Sequence, residues 1–165
     1  MATISEPRQL FVAELQGMLY VEQKQAEEVL PSLQKEVEST ELKQGFQTHL
    51  EETKQHVTNL ERAFELLGEQ PKADKSHAID GLVAQHDKLV KNIESPQLRD
   101  VFDAGAAAKT EHLEIAAYES MIATAESLGE DEILSLLEEN LDHEKKTLKE
   151  IKKASEQLAK QMAGV

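Results

Sequence analysis

Three long stretches of this chain repeat apolar residues at steps of three and four, and each stretch places one glutamate inside the repeat. The spacing is that of one face of an α-helix, so the glutamates fall where a helical bundle would bury Leu or Val. In the first stretch the series is Phe11, Leu15, Met18, Glu22, Ala26 and Val29. A later one reads Val101, Ala104, Ala108, Glu111, Ile115, Tyr118, Ile122 and Ala125. The last reads Ile133, Leu137, Leu141, Glu144, Leu148, Ile151 and Leu158. A charge on a buried face is costly unless it is paired, so three of them point to a shared metal site.

The 165 residues suit one domain spanning 1–165 with a substantial core. Leu, Ala, Glu, Lys and Gln abound and aromatic residues make up only 4%, which predicts an all-α fold. The first helix is expected from near Ser5, as N-cap, to about Ser39. Pro31 should kink or briefly break it, because proline lacks an amide hydrogen and crowds the carbonyl of Glu27. Thr40 can cap a second helix carrying Phe46, Leu50, Thr53, Val57, Leu60 and Phe64 and ending at Gly68. After a loop over 69–76 comes a shorter helix with Ile79, Leu82, Val83, Leu89, Val90 and Ile93 as its apolar face. Ser95 and Pro96 form a cap and first-turn pair for a third long helix reaching Gly129, and a fourth runs from about Asp131 towards Gly164. Four long helices with a short one in the crossover between the second and third follow the plan of a ferritin-like four-helix bundle.

The formal charge of −14, with 32 acids against 18 bases, argues against nucleic acid or an anionic membrane as partner. No cysteine is present, which removes disulfides, thiolate zinc sites and iron–sulfur clusters. The N-terminal residues lack a basic region followed by an apolar run, and no stretch approaches ~18 apolar residues in a row, so the expected compartment is the cytoplasm. Neither a glycine-rich phosphate loop nor a nucleophile motif occurs.

The second helix carries His49, Glu52 and His56 on one side. The two histidines are two turns apart, about 10.5 Å along the axis, so one ion cannot readily bind both. His49 with Glu52 is the preferred ligand pair, with His56 as the alternative. Glu111 and Glu114 are three apart on the third long helix, a spacing that lets two carboxylates converge. With Glu22 and Glu144 the set is five carboxylates and one imidazole. Oxygen-rich coordination of this kind suits Fe or Mn, and two divalent ions per chain would neutralise most of the buried charge. Carboxylates can bridge such ions and adapt to their oxidation state, which suits reaction with dioxygen or peroxide.

The runs Tyr20-Val-Glu22-Gln-Lys-Gln, His49-Leu-Glu-Glu52-Thr, Glu111-His-Leu-Glu114-Ile-Ala-Ala-Tyr118 and Leu141-Asp-His-Glu144-Lys carry a resemblance over nearly the whole chain. In this order they resemble the bacterial YciE and YciF stress-protein family of the ferritin-like superfamily. The resemblance implies a compact bundle, commonly a homodimer, with a di-metal centre and a role in stress. Glu52 and Glu114 join the ligand set chiefly through it. Two departures stand out. The usual ferritin signature is Glu-x-x-His on the second and last helices, whereas here the second reads His49-x-x-Glu52 and Glu144 is followed three residues later by Thr147. His143 adjoins Glu144 but points about 100° away, into the outer shell or solvent. His86 reads as a core or rim histidine, His77 and His112 as solvent-facing, and Tyr118 as core. The alternative to a redox-active metal protein is a metal-independent acidic helical dimer whose buried acids stabilise one another when protonated.

Overall fold

The computed structural model describes residues 3–162, all of whose regular structure is helical. The elements are α1 (Pro7–Lys24), a single π turn (Gln25–Val29), α2 (Leu30–Glu36), α3 (Thr40–Leu66), α4 (His77–Val90), α5 (Pro96–Leu128) and α6 (Asp131–Met162). The continuous rod of α1, π turn and α2 packs against α3 and α5, and α6 closes the bundle by packing against the same two helices. Neighbours are antiparallel. Arg8, early in α1, reaches the Leu67 carbonyl beyond the end of α3 and Glu130 beyond the end of α5. The fold is the all-α ferritin-like bundle that the sequence predicts.

Local signals fix the helix ends. Ser39, one residue before the expected Thr40, caps α3 by accepting from the Leu42 amide at 3.3 Å. Glu6 rather than Ser5 occupies the cap position of α1, and the Ser5 amide instead donates to Gln9 Oε1 at 2.9 Å. Ser95 and Pro96 open α5 as expected. Gly68 and Gly129 adopt φ of 70° and 74° and end α3 and α5 with six-to-one hydrogen bonds, from Glu69 to Phe64 and from Glu130 to Ala125. The expected end of the last helix near Gly164 lies outside the described residues.

Strict alternation of four- and three-residue steps runs along the buried line of each bundle helix, the heptad rule of knobs-into-holes packing. In α3 the line is Leu42, Phe46, His49, Thr53, His56, Leu60, Ala63 and Leu67. In α5 it is Asp100, Ala104, Ala107, Glu111, Glu114, Tyr118, Met121 and Ala125, and in α6 Ile133, Leu137, Asn140, Glu144, Thr147, Ile151 and Ala154. The expected α5 stripe is thus partly out of phase: Val101, Ala108, Ile115 and Ile122 are half-buried on its flank. The first rod follows Phe11, Leu15, Met18, Glu22, Gln25, Leu30, Leu33 and Val37, with a single step of five inside the π turn. One extra residue is absorbed there, which moves Ala26 and Val29 off the core and Leu30 onto it. Pro31 produces no break. It removes a rung from the hydrogen-bond ladder, and the π turn sits where that rung is missing.

Apart from Asp100, the polar members of these lines gather around the middle of the bundle. Above them Phe11, Leu15, Leu60, Phe64, Met121, Ile133 and Leu137 form one apolar cluster, and below them Leu30, Leu33, Phe46, Ala104 and Ile151 belong to a second. The crossover must return along the length of α3, about 40 Å, before α5 begins. α4 lies on that path against α5, tied to α1 by the Tyr20 hydroxyl and Lys24 Nζ, 3.0 and 3.2 Å from Asp80. Of its expected apolar face only Ile79 is buried, and Leu89 is 41% exposed.

Buried Asp100 near the start of α5 ties the two halves of the bundle together. Its two oxygens accept from the amides of Glu38 and Ser39, each at 2.8 Å, and so hold the turn between α2 and α3. Replacing it leaves two donors without their charged acceptor. Asp100→Ala should therefore lower unfolding free energy by about 2–4 kcal/mol, read as a lower urea midpoint, with Asp100→Asn losing less.

Candidate metal centre

Six side chains converge between the two apolar clusters, from all four bundle members. Glu22 comes from α1, His49 and His56 from α3, Glu111 and Glu114 from α5, and Glu144 from α6, and each is at most 1% exposed. Five of them form two groups of three around the two histidines, Glu22–His56–Glu144 and His49–Glu111–Glu144, which share Glu144. His56 Nδ1 lies 3.3 Å from Glu22 Oε1 and 3.0 Å from Glu144 Oε1. His49 Nε2 lies 3.2 Å from Glu111 Oε1 and 3.7 Å from Glu144 Oε2. Glu144 therefore presents one oxygen to each group.

These close approaches lack hydrogen-bond geometry. His49 Nε2, His56 Nδ1, both oxygens of Glu144, and one oxygen each of Glu22, Glu111 and Glu114 are buried without a hydrogen-bond partner in the protein. Ligand atoms about 2.1 Å from one ion, at angles of about 90–110°, stand about 3.0–3.4 Å apart. Three of the four histidine–carboxylate distances fall in that range, so each group of three has the donor types and spacing that could hold a metal ion.

The remaining ring nitrogens point to an outer shell. His56 Nε2 is 3.1 Å from His143 Nδ1, and the two rings stack. His49 Nδ1 is 3.3 Å from Thr147 Oγ1 and 3.8 Å from Glu52 Oε2. Such contacts fix which nitrogen of a histidine is free to bind an ion. The Tyr118 hydroxyl donates to Glu22, Asn140 donates to Tyr118 at 3.0 Å, and Asn59 donates to Asn140 at 2.7 Å. Gln25, carried onto the core line just where the π turn begins, donates to Glu114 at 3.3 Å.

Electrostatics reflect four buried acids sharing two imidazoles. Burial, then the charges of Glu144, Glu22 and Glu111, push Glu114 well above the carboxylate range. Burial and Glu111 raise Glu144 to about 7. Glu22 is also raised, chiefly by burial, although His56 opposes the shift. Burial disfavours the charged form of both histidines but is outweighed. Glu22 and Glu144 lift His56 to about 10, and Glu111, Glu52 and Glu144 lift His49 well above its usual value. Burial and the Glu22 and Glu144 charges keep Tyr118 protonated and hence a donor. Glu52 differs: His49 and then Lys146, 2.9 Å away, outweigh its partial burial and hold it at about 2.

Of the residues singled out from sequence, Glu22, His49, Glu111 and Glu144 stand in the two groups of three, and Glu114 is fully buried beside them. Glu52, its side chain 16% exposed, stands outside both groups at the rim, between His49 and Lys146. His56, the sequence alternative, heads one group. His143 occupies the outer shell, and His77 and His112 are exposed. Gln25, Asn59, Asn140 and Thr147 were not singled out. Counting four-and-three steps from Glu144 would have reached Asn140 and Thr147, since both lie on its heptad line.

Residues 6–164 match the family described as "Domain of unknown function (DUF892)". Protein YciF of Escherichia coli (strain K12) is 33% identical over 129 residues, which are 78% of this chain and 78% of that protein. Among solved structures, YcfI from Rhodopseudomonas palustris superposes with a TM-score of 0.88 at 33% identity, covering 90% of this chain and 94% of that one. The E. coli stress protein YciF superposes with a TM-score of 0.89 at 27% identity, covering 94% and 98%. Sharing both the sequence pattern and the helical bundle along nearly its whole length, the chain belongs to the DUF892 family and is a homologue of YciF.

Proposed function

We propose that this protein holds a dinuclear Fe or Mn centre at the middle of its bundle and uses it in oxidative or general stress. The observation that carries the reading is the position of Glu144, whose two oxygens face two different histidine-headed groups and have no hydrogen-bond partner in the protein. Glu22 and His56 would complete one ion's shell and His49 and Glu111 the other's, with Glu114 the further carboxylate beside them. Four buried carboxylates balance two divalent cations, so occupancy relieves the like-charge burden that raises Glu114 and Glu144. Bound there, such a pair would supply electron transfer to peroxide or dioxygen.

The chain's own residues then have separable tasks. Glu144 would hold both ions, offering one oxygen to each group, Tyr118 steadies Glu22 by donating to it, and Asn140 holds Tyr118 in place. His143, Thr147 and Glu52 orient the imidazoles from behind. The apolar clusters on either side limit water at the centre. No described helix is long and apolar enough to cross a membrane. The homodimer implied by the family is part of the proposal, and light scattering on the purified chain tests it.

Elemental mass spectrometry on protein loaded anaerobically with Fe(II) or Mn(II) should find two ions per chain, and Glu144→Ala should lose both. Near-zero metal in the loaded wild type would sink the reading in favour of the metal-independent acidic module. Tyr118→Phe removes one outer-shell donor and should weaken Mn(II) binding about tenfold in a calorimetric titration while leaving the fold intact.

Acidity gives an independent check. His56 at about 10 and Glu144 at about 7 bind protons more tightly in the folded chain than at their ordinary 6.5 and 4.5. Their contribution to metal-free stability is therefore full at low pH and is lost as pH rises, from 4.5 to 7 for Glu144 and from 6.5 to 10 for His56. Metal binding must displace the same protons, so its stabilisation has the opposite slope. Thermal melts between about pH 5 and pH 8 should show Tm falling with pH in chelator, and a gain on adding Mn(II) that grows with pH.

A further inference from the structure

A second group of potential ligands lies outside the bundle centre and shares no residue with it. Glu36 ends α2, His86 sits in the second half of α4, and Asp103 lies in the second turn of α5, with ligand atoms of all three within 4.8 Å of one another. Asp103 is two turns before Glu111 on α5, about 12 Å along the axis. Its carboxylate is fully buried, with Oδ1 2.8 Å from His86 Nε2 and Oδ2 without any hydrogen-bond partner. An ion pair with a protonated His86 accounts for one of those oxygens and leaves the other buried with no donor in the protein to accept from, an arrangement that costs free energy.

The three groups are also held ready. The His86 ring stacks on Phe102 with centroids 5.4 Å apart, and its Nδ1 approaches Asp87 Oδ1 at 3.4 Å, the outer contact that directs Nε2 inward. Ser32 Oγ donates to Glu36 Oε1 at 2.6 Å. His86 also lines a cavity of about 220 Å³, walled by Val29, Leu33, Leu82 and Phe102, which gives a water or small ligand room beside the group.

We propose that Glu36, His86 and Asp103 form a separate site for one borderline divalent cation of the Zn²⁺ type, with a further coordination position left to water. One imidazole and two carboxylates on three elements is a donor set that zinc accepts. The site explains the otherwise unmatched oxygen of Asp103. It also gives α4 an anchor at the end away from Ile79, the one residue of that helix that is buried. Bound metal would clip the crossover helix to both α2 and α5.

The test is calorimetric zinc titration of the full chain as wild type, His86→Ala and Glu36→Gln. One zinc site should weaken about tenfold or more in both variants with the circular-dichroism spectrum unchanged. Zinc sites at the bundle centre persist in all three proteins, so the comparison is independent of that centre. Were the dinuclear reading wrong, wild type would still bind one ion and His86→Ala none. Zinc should also slow amide exchange over residues 82–90 in wild type and not in Glu36→Gln. Undiminished affinity in folded His86→Ala overturns the proposal. Undiminished affinity in Glu36→Gln, whose side chain is exposed, does the same even if His86→Ala fails to fold.

Discussion

Desolvation of four carboxylates in a single layer of the core is the constraint around which this bundle is arranged. Glu22, Glu111, Glu114 and Glu144 give up hydration that no free helix end replaces, because the layer lies in the middle of α3, α5, α6 and the continuous first rod. Their compensation has to come from side chains and, in our proposal, from cations. That need explains why both histidines of α3 are buried among the acids, and why tyrosine, asparagine and glutamine occupy positions that packing alone would give to leucine. The apolar clusters above and below hold the helices close enough for the layer to assemble and keep it dry enough for its charges to matter.

Nitrogen supply sets this centre apart from the ferritin signature quoted for the sequence. Instead of one histidine on each of two helices, α3 contributes both, seven residues apart, and the last helix carries Thr147 three positions after Glu144. The axial separation that bars the two imidazoles from one ion suits two. Thr147 turns to the back of His49, and His143, one position before Glu144, turns to the back of His56. α6 thus adds Glu144 to the layer and supports the two imidazoles of its neighbour.

Helix number, order and most ends could be read from the sequence, because caps, glycines and apolar spacing are local signals. The phase of α5 could not. Val101, Ile115 and Ile122 are more hydrophobic than Asp100, Glu114 and Ala107, so apolarity alone rotated the stripe onto its flank. A buried polar layer defeats a hydrophobic reading at the very positions it occupies. His56 ranks behind His49 and Glu52 for a different reason: two turns separate the histidines, so one ion could not take both, and Glu52 enters chiefly through the family resemblance, while the structure turns it to Lys146 at the rim. Asn59 and Gln25 were hidden for another reason: they gain meaning only when partners more than fifteen residues away are brought alongside.

The π turn allows the length of the first rod and the order of its core contacts to vary independently. A chain one residue shorter between Gln25 and Leu30 could thread the same layers, Glu22 to Leu33, through unbroken α-helix. Packing on either side would be indifferent to the change. The surplus residue comes after Gln25, which meets Glu114 from an ordinary three-residue step beyond Glu22, so that contact and the placing of Leu30 and Leu33 on the core line can change independently.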